Sequence, residues 1–358
     1  MKKIYIKRLL EFVFFFMILF SCMNFLSRLF LPKWIEKKDN YERFLIDSFY
    51  KEKKNTIDLI FLGNSDSYYG IYPMELWNSY GITSFNYSKP GARVWIDYYN
   101  LKNVLRKQSP KYVFYSVDDF FSIKQSRDGD IMKSITGMKE SFNKLNAIAD
   151  NNVQKSNKHK LSYIFPIIRF HSRYNELNSD DFKYVFKKAY MPTKGVVISD
   201  DVTPFRYKKD YMKHKRTVET IYDKNRKYID KIVELCKEND IQLVFYELPS
   251  ADSWGYKRHE EVKKYAIEKN IPFIDMNVGI DKVDINWNID SRDGGDHLNV
   301  LGALKTTKYI GEWINTNCEL DNHKYDEKYK SWNNEYQEFI KLKDKALNEV
   351  REKHNKRH

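Results

Sequence analysis

Apolar and polar positions along the chain fall into three patterns. One is a single long apolar run over residues 9–31, richest at 12–20 and broken by Arg28. Another is a set of short apolar runs without helical spacing, at residues 57–62, 83–87, 112–117, 241–248 and 271–276. Runs of that length and evenness predict strands buried on both faces of a parallel sheet. Between them lie amphipathic stretches: 73–80, opened by Pro73 and stopped by Gly81, then 94–105, 217–238, 260–269 and 300–314, which predict helices. Strand and helix alternate as βαβαβ. The fold class expected is therefore α/β, with helices on the faces of a mainly parallel sheet.

Two stretches break the alternation. Residues 120–213 are rich in lysine and asparagine and include polar runs such as 151–160, which read as solvated or mobile. Inside this insertion, Phe165 to Leu177 form an aromatic and basic segment holding Arg169, His171 and Arg173. It reads equally as a substrate wall or as a helix packed on the sheet. The tail from 321 to 358 alternates charges with Trp332, Tyr336, Phe339, Ala346, Leu347 and Val350 at helical spacing. Packing on its own domain is its default reading. The resulting division is an anchor at 1–34, a stem at 35–55, an α/β domain at 56–316 with the insertion at 120–213, and a charged amphipathic helix at 317–358.

The first run also bears on location. It is long enough to cross a hydrocarbon core of roughly 30 Å, and Lys2, Lys3, Lys7 and Arg8 precede it. That flank predicts a single-pass anchor with a cytoplasmic N-terminus and an extracytoplasmic domain. A cleaved signal peptide is the rival, but no small-x-small site follows the core. A lipoprotein site at Cys22 fits poorly with Phe20 and the apolar residues after it. Three cysteines are too few for a disulfide scaffold; Cys236 and Cys318 lie on helical patterns where buried free thiols are the plain reading, and a bridge between them is the alternative. No Cys/His pair has zinc-ligand spacing, so no metal is expected. The net charge of +13 comes without any nucleic-acid-binding signature, so no nucleic-acid partner is expected. Outside a cell it matches phosphate-rich polymer or anionic lipid, or is simply a solvated surface.

Candidate chemistry begins where the first strand ends, at Gly63-Asn64-Ser65-Asp66. Gly63 permits a tight turn that turns Ser65 out at the carboxyl edge of the sheet, where open α/β folds bind ligands; the plainer reading is a capped strand-to-helix turn. Far downstream, Asp293-Gly294-Gly295-Asp296-His297-Leu298-Asn299 places a histidine behind an acidic loop, just before the last helix. A hydroxyl needs a base to become a nucleophile, and the base needs an acid to hold its tautomer. Ser65, His297 and either Asp293 or Asp296 supply those parts. Asp293 is favoured, because the glycine pair can bulge it into place while Asp296 directly precedes the ring it would have to orient. Capping is the plainer role for Asp296 and for Asn299.

Taken together, the two motifs resemble the SGNH, or GDSL-like, serine hydrolase family, over roughly residues 56–316 apart from the insertion. The likeness is greatest to its membrane-anchored members that work beside membrane-bound O-acyltransferases, including the D-alanyl-transfer proteins of teichoic-acid synthesis. The resemblance implies a three-layer α/β/α domain. It also implies a serine esterase or acyltransferase that moves or removes an O-acyl group on a cell-surface glycopolymer, with a membrane-bound O-acyltransferase as partner and no cofactor. Gly91 stands where the family's oxyanion glycine lies. The family's Gly-x-Asn after the third strand is replaced here by Val117-Asp118-Asp119, so Asn64 or Asn86 would have to substitute. Similar Phe/Tyr-His-Ser-Arg stretches in that branch make His171 and Arg173 candidate substrate contacts. The altered third motif and displaced aspartate equally fit a non-catalytic surface protein that binds polymer or scaffolds a synthesis complex; the Ser65 to His297 distance separates the two.

Overall fold

The computed structural model describes residues 2–32, 42–139, 141–186, 190–206, 210–214 and 216–356. Helix α1 (Lys2–Phe30) comes first, long and apolar enough to cross a membrane by length and composition, with its apolar stretch unburied by the rest of the chain. A second helix, α2 (Glu42–Lys51), follows within the expected stem. It is no spacer, because Phe49 is fully buried among Phe85 and Tyr87. The other part of the stem, 35–41, lies outside the described residues.

The core is a five-stranded, wholly parallel sheet built from β1 (Leu59–Leu62), β2 (Ser84–Asn86), β3 (Tyr112–Ser116), β4 (Gln242–Glu247) and β5 (Phe273–Asp275). Their order is β2-β1-β3-β4-β5. Strand residues alternate between the two faces, as the twofold period of a strand requires. Ile60, Leu62, Val113, Tyr115 and Phe245 point into one layer, and Leu59, Phe61, Phe114, Val244 and Tyr246 into the other. In chain order, α3 (Ser65–Gly70) and α4 (Pro73–Tyr80) follow β1, and α5 (Val94–Leu105) follows β2. The insertion then adds α6 (Asp128–Thr136), α7 (Phe142–Ala149), α8 (Asn157–Ile164), α9 (Ile167–Phe170) and α10 (Ser179–Phe186). Last come α11 (Asp223–Glu238), α12 (Tyr256–Lys269), α13 (Val300–Asn317) and α14 (Lys330–Asn355). Helices α5, α11 and α12 cover the first face, and α4 and α13 the second, giving the three-layer α/β/α architecture.

The polar run 151–160 is largely exposed, as expected. Around it, Ile131, Met132, Ile135, Ala147, Ile148 and Tyr163 of the insertion pack with Trp95, Ile96 and Tyr99 of α5 into a core of their own. Helix α8 inside the polar run starts behind a Ser156 cap. The tail packs on its own domain, as its default reading had it: Phe339 and Val350 of α14 are fully buried and Trp332 nearly so, with rings against Tyr72 and Trp77. Cys236 and Cys318 are free thiols, so the possible bridge is absent.

Candidate active site

In a sheet ordered 2-1-3-4-5 the chain leaves β1 in one direction and returns to β3 on its other side. The crevice outside the carboxyl ends of these two strands is therefore the natural binding place. Gly63 makes the exit from β1 possible: its φ is +146°, and a Cβ there would lie 2.7 Å from Ser116 Cβ on β3. Asn64 then caps α3, its Oδ1 accepting from the Asp66 N–H at 3.1 Å. Ser65 is the first residue of α3, so its backbone N–H has no acceptor within the helix.

The loop bearing His297 is pinned on both sides. A bridge pairs Ser291 with Leu298, and Asn299 caps α13 by accepting from the Leu301 N–H at 3.0 Å. Ser291 Oγ accepts from the Gly294 and Gly295 N–H groups at 3.1 and 2.8 Å. The Gly295 carbonyl accepts from the Ala251 N–H at 2.7 Å, and Ser250 Oγ donates to the Asp296 carbonyl at 3.1 Å. Both glycines have positive φ, and a Cβ on Gly295 would lie 2.7 Å from the Phe205 ring.

Those constraints bring the predicted groups together. His297 Nε2 is 2.7 Å from Ser65 Oγ, and His297 Nδ1 is 2.6 Å from Asp293 Oδ2. The other Asp293 oxygen accepts from the His297 backbone N–H at 2.8 Å. Asp296 is farther from Nδ1, at 3.4 Å, and Asn299, not Asp296, caps the helix. Tyr69, which lies edge-on to the imidazole at 5.6 Å, carries the Arg292 guanidinium over its own ring at 4.0 Å. Asp66 Oδ1 lies 3.7 Å from Nε2.

Burial works against a charged imidazole, yet the hydrogen bond that the ring donates to Asp293 and the charges of Asp66, Asp296 and Asp293 outweigh it and push His297 up to about 9. Burial also opposes charge on Asp293, but the bonds and charge of His297, with Arg292, hold it below the usual carboxylate range. Asp66 and Glu247 behave the opposite way: burial, reinforced by neighbouring acids, pushes both carboxyls well above that range.

The remaining sequence candidates have definite places. Gly91, with φ +70°, occupies a turn where a Cβ would collide with the Asp130 carboxyl. That turn is joined to the Ser65 turn by a bond from the Lys89 N–H to the Gly63 carbonyl at 3.1 Å. Asn86 is fully buried and its Nδ2 donates to the Ser67 and Ile71 carbonyls at 2.7 and 3.2 Å. Asn64 Nδ2 donates to Asp118 Oδ2 at 3.0 Å. The expectation that these asparagines are free to hold an oxyanion is thus corrected; they brace the turns.

Of the two readings of the segment holding Arg173 and His171, substrate wall or packed helix, the contacts fit packing, though on α1 and not on the sheet. Arg173 donates to the Phe30 carbonyl at the end of α1 at 2.8 Å and faces Glu176 and Asp181. His171 Nδ1 is 3.2 Å from the Ile168 carbonyl on an exposed turn. The whole segment packs on α1, with Phe165 edge-on to Phe20 at 6.0 Å. These partners of Arg173 and His171 all lie outside the Ser65, His297 and Asp293 array.

Sequence reasoning missed Asp66, Tyr69, Asp118, Glu247 and Arg292 as neighbours of the site. Glu247 carried a signal, as an acid late in a mostly apolar strand run, and Asp66 and Asp118 lie within the two motifs already singled out.

No family model matches the chain, and no curated protein does. The solved structures to which it is similar include a GDSL-like lipase from Bacteroides thetaiotaomicron, at 12% identity over 78% of this chain and 99% of that one, with a TM-score of 0.36. A protein described as lipolytic, of the G-D-S-L family, from Desulfitobacterium hafniense matches at 14% identity over 71% and 97%, with a TM-score of 0.36. A protein described as an acylhydrolase from Bacteroides fragilis matches at 14% over 77% and 96%, with a TM-score of 0.35. At such identities and scores residue roles are not transferable, and only the geometry of the site bears on them.

Proposed function

We propose that this chain is a serine esterase or acyltransferase of the SGNH type, held at the outer face of a membrane by α1 and acting on O-acyl groups of a cell-surface glycopolymer. The observation that carries the enzymatic part is the array Ser65 Oγ, His297 Nε2 and Asp293, with separations of 2.7 and 2.6 Å, at the switch point of the sheet. A non-catalytic binder has no use for a serine and histidine held within hydrogen-bond reach.

In the proposed reaction Ser65 Oγ attacks the acyl carbonyl carbon as its proton passes to His297 Nε2. Asp293 holds Nδ1–H and stabilises the imidazolium. The oxyanion is held by the backbone N–H groups of Ser65 and Gly91; one such donor is worth about 10²- to 10³-fold in rate. Collapse expels the alcohol oxygen of the polymer, which takes the proton from Nε2. Water or an acceptor hydroxyl then attacks the acyl-serine by the same path in reverse, giving hydrolysis or transfer.

The location rests on the apolar α1 behind Lys2, Lys3, Lys7 and Arg8. The glycopolymer rests on the basic surface and on the resemblance, which also supplies a membrane-bound O-acyltransferase as the source or sink of acyl groups. The test is incubation of the purified full-length protein with an activated acetate ester and with O-acylated wall polymer. Acyl release or transfer from both is expected, and both should vanish in Ser65→Ala. Turnover of the small ester alone would remove the polymer, and turnover of neither would remove the enzyme.

A further inference from the structure

The carboxyl ends of the three neighbouring strands β1, β3 and β4 deliver one acid each to the floor of the same crevice: Asp66 on α3, Asp118 just beyond β3, and Glu247, the last residue of β4. One oxygen from each lies within 4.8 Å of the other two. Three oxygens so spaced lie at most about 2.8 Å from a common centre, a few tenths of an ångström beyond calcium–oxygen bonds of about 2.4 Å, so a single ion reaches all three with small side-chain shifts. Glu247 is fully buried and neither of its oxygens has a hydrogen-bond partner; Asp118 Oδ1 has none either. Asp66 is 4% exposed.

The cationic groups nearby are already committed. Arg258 Nη1 forms a long ion pair with Asp118 Oδ1 at 3.6 Å while the guanidinium also donates one Nε and one Nη1 hydrogen to the Val218 and Ser253 carbonyls at 2.9 and 2.8 Å, so its single charge is shared and none of its hydrogen bonds reaches Glu247. His297 approaches Asp66 only at 3.7 Å and is engaged by Ser65 and Asp293. Buried carboxylates without partners are costly enough that the native state must supply either a cation or protons. An all-oxygen set of hard donors suits Ca²⁺ or Mg²⁺ and does not suit zinc, which favours nitrogen and sulfur.

We infer that Asp66, Asp118 and Glu247 form a binding site for a divalent cation of the Ca²⁺ or Mg²⁺ class beside the nucleophile. The inference stands whether or not the esterase reading is right, and it runs against the expectation of no metal, which considered only cysteine and histidine spacing. Because Asp66 directly follows Ser65, an ion here ties the nucleophile's helix to the ends of β3 and β4. It acts as a positioning device and takes no part in bond making.

The test uses the full-length protein in detergent, stripped with a chelator and dialysed, with Ca²⁺ or Mg²⁺ alone added back to millimolar levels. Thermal unfolding and titration calorimetry are followed for the parent, Glu247→Gln and Asp118→Asn. Expected are an upward shift of several degrees in the parent and a loss of at least tenfold in affinity in each variant. If protons instead of a cation neutralise the cluster, glutamine mimics the protonated acid: Glu247→Gln would be as stable as the parent and none of the three would respond to either ion. That result overturns the proposal, as does a response that Glu247→Gln retains in full. Should the variants fold poorly, terbium emission sensitised by the aromatic residues of the parent, and its displacement by Ca²⁺, gives the same decision.

Discussion

Asparagine in place of Asp293 separates the orienting acid from its neighbour. Asp293 holds His297 twice, accepting from the backbone N–H at 2.8 Å through one oxygen and facing Nδ1 at 2.6 Å with the other. In Asp293→Asn the amide oxygen keeps the first bond, which turns the amide nitrogen toward Nδ1. A donor there makes Nδ1 the acceptor and moves the ring proton to Nε2, where it blocks uptake of the Ser65 proton. The same exchange in serine proteases costs about 10⁴-fold in kcat, about 5.5 kcal/mol. Asp296→Asn removes only a charge 3.4 Å from Nδ1 whose side chain is 43% exposed. In a largely aqueous dielectric that is worth about 1 kcal/mol, or roughly five- to tenfold. The assay is kcat and KM on an activated acetate ester, with thermal unfolding to show that both variants fold. Equal losses, or a larger loss at Asp296, would refute the assignment.

Three other outcomes follow from the structure. Since His297 acts as a base only when neutral and its imidazolium is favoured up to about 9, kcat/KM of chelator-treated enzyme should still be climbing between pH 7 and 9; a plateau by pH 7 would contradict this. The same shift stabilises the fold fully below the unfolded value near 6.5, and that contribution disappears as the pH rises through 9. Gly295→Ala, forced to φ +108° against Phe205, should cost about 1–3 kcal/mol of stability by thermal melt and lower kcat with all three triad residues intact. Phe339→Ala on α14, fully buried against Tyr72, should cost about 3–5 kcal/mol in denaturant unfolding; an unchanged midpoint would mean that the tail is dispensable.

Much of the fold was legible because its strands are buried on both faces. The apolar runs around Ile60, Phe114 and Phe245 needed no partner to be recognised, and helices α4 and α5 begin and end where Pro73, Gly81 and the apolar stripe from Val94 placed them. The core of the insertion was not foreseen because its composition is polar while its few apolar residues, such as Ile131 and Tyr163, bury against α5, a contact that no local pattern announces. In the site, Ser65 and His297 were visible as unusual residues at strand and helix ends. The choice of Asp293 depended on a backbone path through two positive-φ glycines. The fates of Asn64 and Asn86 were hidden for a different reason. A short amide can face a ligand or brace its own turn, and which it does is decided by Asp118 and by the Ser67 and Ile71 carbonyls across the crevice.

The central claim is that Ser65 is an activated nucleophile, and covalent labelling tests it most directly. The full-length protein is treated with a fluorophosphonate probe at pH 8 and the modified peptide is mapped by mass spectrometry. Stoichiometric labelling on Ser65, abolished by Ser65→Ala and strongly slowed by His297→Ala, is the predicted result. A folded protein that leaves Ser65 unlabelled, or labels it equally fast without His297, would contradict the account.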